Sequence, residues 1–205
     1  MPNLALVTAD TPPPAATKKR RVQKPPEFLQ ADECARFFAV IDSPRDRAIF
    51  QLMYRAGLRV SEIGRLDLRD YDRGTERVMC RRLKGSNPGQ HHSCRVLIKA
   101  MHAWIKVRGL APSPLFPSDQ RTGIKRSQLD RLMKRYGDAA GIPRKFCHCH
   151  IWKHTCATHI VDQGAGILDV QDWLGHKNIQ SAAIYAHISN PRREELAEKL
   201  KDSWK

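Results

Sequence analysis

Punctuation constrains this fold more than any other feature of the sequence. From Phe28 onward the chain is a series of short amphipathic stretches, several of them closed by glycine. Residues 31–41 carry Cys34, Phe38 and Ile41 at spacings of four and three, one face of a helix. Residues 46–56 repeat the pattern with Ile49, Leu52, Met53 and Ala56, and Gly57 follows as a C-terminal cap. A short helix is expected over 60–66, with Ser61 able to cap its start. A basic amphipathic helix is expected over 125–140, ended by Gly141 and Pro143. Three more follow at 150–163, 167–174 and 178–187, split by Gly164, Gly166 and Gly175. A last charged helix should start at Pro191 and run to about Leu200.

One region breaks the helical pattern. Arg77-Val78-Met79-Cys80 and Arg95-Val96-Leu97-Ile98 read as short strands flanking the turn-rich Lys84-Gly85-Ser86-Asn87-Pro88-Gly89. This predicts a β-hairpin or a small three-stranded sheet, then a helix over 99–107 and a proline-rich loop over 111–117. The expected fold class is mainly α with a small antiparallel sheet.

Charge narrows the class of partner. Lys and Arg number 36 against 21 Asp and Glu, a surplus of +15 that favours a polyanion. The apolar runs are too short to span a bilayer, and the N-terminus lacks the basic start of a signal peptide. The expected location is therefore the cytoplasm, on nucleic acid, with no membrane partner. Residues 1–27 hold six of the 13 prolines and few large apolar residues, the composition of a disordered arm. The arm contains Lys18-Lys19-Arg20-Arg21, either a solvated charge run or a strip that lies along phosphates. Residues 28–205 form the expected folded domain.

The six cysteines should be reduced in such a compartment, and they contain no CxxC pair. Cys147-His148-Cys149-His150 alternates too closely for a tetrahedral metal site without ligands from elsewhere, such as His91, His92 and Cys94. No metal and no other cofactor is expected.

Two dense segments carry the chemistry. The first contains Gly57-Leu58-Arg59-Val60-Ser61-Glu62. The second runs His150-Ile151-Trp152-Lys153-His154-Thr155-Cys156-Ala157-Thr158, then Leu174-Gly175-His176, then Tyr185 nine positions later. In this order they resemble the catalytic domain of the tyrosine recombinase, or phage integrase, family over about residues 28–190. That family shows a G-L-R-x-S-E box, an H-x-x-R-H-x-x-A-T box, an L-G-H box and a tyrosine. One position departs from the pattern, because Lys153 stands where the family has its second arginine.

The resemblance implies that Tyr185 attacks a DNA phosphodiester and forms a covalent 3′-phosphotyrosine, which conserves the bond for resealing. Charge spreading over the phosphoryl oxygens calls for fixed donors. Arg59 offers a planar fork for two oxygens, and His176 offers a further donor. By the same resemblance Lys84 protonates the departing 5′ oxygen, and His150 assists the tyrosine proton or orders the site. Lys153 keeps the charge of the missing arginine but presents a point donor, which predicts a slowed enzyme. Lys18, Lys19, Arg20, Arg21, Arg81, Arg82, Lys125, Arg126 and Lys177 are the expected DNA-contacting cations.

Three functions stay open on the sequence: a site-specific recombinase for integration, excision or inversion; a weakly catalytic or non-catalytic DNA-binding regulator on the same fold; and a nicking and sealing enzyme of the type IB topoisomerase kind. The expected partner is double-stranded DNA, bound by two to four copies of the chain, with accessory DNA-binding proteins as candidates. The arm is too short to fold into the clamping domain that precedes the catalytic domain in most of the family. Residues 191–205 either pack on their own domain or, by resemblance, dock on a neighbouring copy.

Overall fold

The computed structural model describes residues 26–81, 87–111, 114–185, 197–198 and 200–201. Eight α-helices, two short 3₁₀ helices (Leu68–Asp70 and Arg144–Phe146) and one small sheet are named among these residues. Helix α1 (Ala31–Ala39) precedes α2 (Pro44–Arg55). Helix α2 starts where Ser43 accepts the Asp46 amide at 3.3 Å and Pro44 takes the first turn, where a missing N–H costs nothing. Helix α3 (Val60–Ile63) is a single turn. Its N-cap is Arg59 rather than Ser61, because the Glu62 carboxylate reaches back to the Arg59 amide at 2.7 Å.

The sheet has the order β1 (Tyr71–Asp72), β2 (Arg77–Cys80), β3 (Gly89–His92), all antiparallel. Arg77 pairs with His92 and Cys80 with Gly89. The sheet was expected, but its third strand was not where the sequence suggested. Arg95-Val96-Leu97-Ile98 is the first turn of α4 (Arg95–Arg108). A short β-branched run looks like a strand, but Leu97, Ala100, Met101, Trp104 and Ile105 continue at helical spacing and all five are buried. The paired strand is instead the polar Gly89-Gln90-His91-His92, whose His91 is buried with its ring 5.0 Å from that of Trp173.

Helix α5 (Arg126–Ala139), α6 (Ile151–Asp162), α7 (Ile167–Trp173) and α8 (Gln180–Ala183) follow. The core centres on Trp152, fully buried among Phe37, Phe38, Phe50 and Tyr54, with its indole N–H on the Met133 sulfur at 3.2 Å. Helix α2 packs chiefly on α4 and α6. A polar tie joins α2 to α5 inside this core: the Tyr136 hydroxyl donates to the buried Asp46 carboxylate at 2.8 Å. Among the described residues no helix is long and apolar enough to cross a membrane. The expected arm (1–27) falls almost wholly outside the described residues, as do 186–196, where the last helix was expected to begin.

Gly57 joins two parts of the chain that matter below. Its φ is +60°, and a Cβ placed there would sit 2.4 Å from a methyl of Leu174. Gly57→Ala therefore combines a left-handed backbone with overpacking, a cost of about 2–4 kcal/mol. For a chain of this size that lowers Tm by roughly 5–15 °C, measurable in a thermal or urea melt.

Candidate active site

Three separate stretches of chain converge on one cavity of about 400 Å³, lined by Arg59, His150, Lys153, His154, His176, Gln180, Ser181, Ile184 and Tyr185. Local folding explains each placement. Gly57 turns the chain out of α2, and Leu58 is buried behind it, so Arg59 emerges at the start of α3. The Arg59 guanidinium is held at 3.1 Å by Glu62, whose side chain is almost fully buried. A charge-assisted bond of this kind fixes the fork while leaving it partly open to the cavity.

Helix α6 supplies three cavity residues from its first turn and cap: His150, Lys153 and His154. Trp152 points the other way into the core and locks the rotation of the helix. Lys153 is buried, and its ammonium donates to the Leu174 carbonyl at 3.2 Å. That carbonyl belongs to the turn after α7, where Gly175 takes φ +63° and the His176 amide bonds to the Gln171 carbonyl at 2.8 Å. The Gln171 side-chain amide closes the turn by donating to the His176 carbonyl at 3.0 Å. Burial of Tyr185 is almost complete, at 1% exposure. Its hydroxyl lies 2.8 Å from Nδ1 of His154.

Of the expected catalytic residues, Tyr185, Arg59, His150, Lys153 and His176 share this cavity. Lys84 and Arg82 lie outside the described residues, as do Lys18, Lys19, Arg20 and Arg21. Both flanks of the segment that holds Lys84 are tied down. Arg81 bonds the buried Asp70 at 2.7 Å, and the Asn87 amide donates to the Gly175 carbonyl at 3.0 Å. Lys125, Arg126 and Lys177 are exposed. Arg126 is 3.5 Å from Asp130 and close enough to His150 to disfavour its protonation.

Two residues were missed in the sequence. Glu62 was read as part of a box with no task, yet it holds Arg59. His154 has no expected role in the sequence, yet it is the histidine bonded to Tyr185. The available signal was spacing: His150 and His154 lie four apart on one helix face, their rings 4.6 Å apart and edge-on. Of the other tyrosines, Tyr54 bonds His159 at 2.6 Å, Tyr136 bonds Asp46, and Tyr71 lies on β1.

Burial and neighbouring cations together set the electrostatics of the cavity. Burial pushes the His154 pKa down to about 4, helped by His150, His148 and Lys153. Packing of its ring, then Lys153, His148, Arg59 and Arg126, also lowers that of His150. Burial pushes the Tyr185 phenol well up, with Cys156 adding to it. The histidines thus stay neutral among fixed cations, and an entering anion reverses that pressure. Among the described residues no group of three or more His, Cys, Asp or Glu is placed to hold a metal ion. Cys147 instead packs its sulfur against Gly137 and bonds the Ile142 carbonyl at 3.6 Å, and Cys149 is buried.

Comparison with known proteins fits this picture. The model of the phage integrase family matches residues 27–192, and the chain belongs to that family. It is 35% identical over 153 residues to tyrosine recombinase XerC of Corynebacterium glutamicum, covering 72% of this chain and 48% of that protein. It is 31% identical over 181 residues to tyrosine recombinase XerA of Thermococcus onnurineus, covering 86% of this chain and 63% of that one. The chain thus spans about half to two thirds of the length of these relatives. A crystal structure of XerA recombinase superposes with a TM-score of 0.73 at 26% identity, over 89% of this chain and 66% of that one. XerH site-specific recombinase bound to its difH substrate shares the fold, with a TM-score of 0.72 at 23% identity over 87% of this chain and 56% of that one. The mainly helical fold with a small antiparallel sheet is that of the tyrosine recombinase catalytic domain.

The depressed His154 pKa has a sign that can be tested. The unfolded chain binds this proton near the ordinary histidine value, whereas the folded chain binds it only near pH 4. The stability it contributes is complete above about pH 6.5 and is lost as pH falls toward 4, on the order of 1–3 kcal/mol. Urea melts at pH 7 and pH 4.5 should show His154→Asn losing less stability across that window than wild type.

Proposed function

We propose that the chain breaks and rejoins DNA as a site-specific recombinase, with Tyr185 as nucleophile. The observation that carries this reading is the convergence of four sequence boxes, far apart in the chain, on one cation-rich cavity that contains a tyrosine hydroxyl. The Tyr185 oxygen forms a bond to phosphorus while the bond from phosphorus to the 5′ oxygen breaks, leaving a 3′-phosphotyrosine and a free 5′ hydroxyl. Resealing is the reverse attack, so the bond is conserved and no nucleotide is consumed. Arg59 and His176 hold the phosphoryl oxygens, and His150 helps order the site. Lys84 delivers the proton to the 5′ oxygen.

Lys153 contributes a third cation beside the phosphate. Its ammonium carries a fixed positive charge on the cavity wall, anchored by the bond to the Leu174 carbonyl. The arm at 1–27, Arg81, Arg82, Lys125, Arg126 and Lys177 meet the backbone of double-stranded DNA. Two to four copies assemble on that DNA, and the segment beyond 190 joins neighbouring copies.

A second reading, a DNA-binding regulator with weak or no cleavage, is favoured by one observation. Lys153 is buried and bonded to a main-chain carbonyl in the place of a forked arginine. Covalent capture separates the two. Nicked suicide duplexes are selected from a pool randomised across both arms, and adducts are read on denaturing gels. Wild type should form an adduct and Tyr185→Phe none. DNA binding with no wild-type adduct supports the regulator, and an adduct that survives Tyr185→Phe removes the nucleophile assignment. Lys153→Ala should slow adduct formation about 10- to 150-fold, the loss of one charged hydrogen bond worth roughly 1.5–3 kcal/mol. An unchanged rate in both Lys153→Ala and Lys153→Arg would remove Lys153 from the site.

A further inference from the structure

The resemblance gives His150 either the tyrosine proton or an ordering role, and the geometry points instead to His154, through its Nδ1 atom, as the group that takes the proton from Tyr185. This inference rests on the recombinase reading and adds a catalytic residue to it. The argument begins with access. Tyr185 is 1% exposed, so bulk solvent does not reach the hydroxyl to remove its proton. A neutral phenol is a weak nucleophile and needs an acceptor within hydrogen-bond reach. Arg59 and Lys153 line the same cavity, but a guanidinium and an ammonium have donors only. His154 Nδ1 is 2.8 Å from the Tyr185 oxygen, within the range of a proton-transfer contact.

The surroundings of His154 fit an acceptor. Its neighbours are His148, His150 and Lys153 on the same side of the chain, with Tyr185 across the cavity. These groups keep the free ring neutral, so Nδ1 holds a lone pair for the hydroxyl. Binding of DNA changes the balance. A phosphate within the cavity, and the charge that builds on its oxygens, favour a protonated ring beside it. The step balances as follows. The O–H bond of Tyr185 breaks and its proton moves to Nδ1 of His154. The freed oxygen pair bonds phosphorus, and the 5′ oxygen leaves with the electrons of the broken bond and takes a proton from a separate donor. Resealing returns the proton from His154 to Tyr185. His150, at the exposed rim and edge-on to His154, stands behind the acceptor and does not hold the hydroxyl itself.

Two substitutions separate proton transfer from positioning. The Oδ1 atom of His154→Asn can sit near the Nδ1 position and keep the hydrogen bond to Tyr185, but an amide does not take the proton. His154→Ala removes both. The measurement is the single-turnover rate of adduct formation by the full chain, on nicked duplexes captured by wild type from the randomised pool. Both variants should lose roughly 100-fold or more at pH 7, the lower end of general acid–base contributions. Because His154→Asn keeps the hydrogen bond and loses only the proton acceptor, its deficit should match that of His154→Ala. A His154→Asn rate within threefold of wild type, or a deficit confined to His154→Ala, overturns the inference and leaves His154 a positioning residue.

A DNA-free measurement keeps this failure distinct from failure of the recombinase reading. Histidine ¹⁵N NMR of the free protein should show His154 as the Nε2–H tautomer, with an Nδ1 resonance that moves on Tyr185→Phe. An Nδ1 that carries the proton in wild type, or one indifferent to Tyr185→Phe, overturns the inference regardless of DNA. No adduct from wild type on any duplex overturns the recombinase reading, and the catalytic role with it, even where the NMR signature is present.

Discussion

Helix α6 is buried on nearly every side, and both the core and the cavity depend on its rotation. Trp152 enters the aromatic cluster of Phe37, Phe38, Phe50 and Tyr54, while its neighbours Lys153 and His154 face the other way. A helix turns by about 100° per residue. Rolling α6 far enough to improve the position of Lys153 would therefore pull Trp152 from its socket. Fully burying a side chain of that size is worth several kcal/mol, more than a single exposed contact can oppose. Hydrophobic packing on one face thus fixes the polar geometry on the other.

The cavity gains rigidity from main-chain anchors as well as side chains. Glu62 holds both the amide and the guanidinium of Arg59. Lys153 ties α6 to the Leu174 carbonyl, and Gln171 braces the His176 turn. Leu174 also fills the space that the missing side chain of Gly57 leaves open. The arginine box, the lysine box and the Leu-Gly-His turn are thus in direct contact, so their order in the sequence reflects one packed unit. Preorganised donors of this kind spend little energy on rearrangement when charge develops nearby.

Helices were legible in the sequence: α1, α2 and α5 lie where their apolar period puts them, and α6 and α7 where the glycine stops do. The sheet was legible only in part. Gly89-Gln90-His91-His92 has no strand composition, and it pairs because β2 offers an edge and Trp173 covers His91. Propensity carries no information about such tertiary cover. Residues 95–98 alone have the composition of a strand, and only the helical period that runs on to Ile105 distinguishes them as the start of α4. For the site, residue types and order were readable because four boxes resemble those of the family in the same order. The partner of each group was not. Which histidine meets Tyr185 depends on how α8 approaches α6, a separation of 31 residues that no local pattern encodes. The bond from Lys153 to Leu174 spans 21 residues and was hidden for the same reason.

The hydrogen bond from the Asn87 amide to the Gly175 carbonyl has a structural meaning. Asn87 leads directly into β3, and Gly175 is the residue on which the His176 turn pivots. Sheet and turn are therefore joined by a main-chain hydrogen bond, with Trp173 set edge-on to His91 as a second contact. The β2–β3 end of the sheet thus touches the His176 turn directly, through main chain. The end of the sheet and one wall of the cavity are thereby built on the same stretch of backbone contacts.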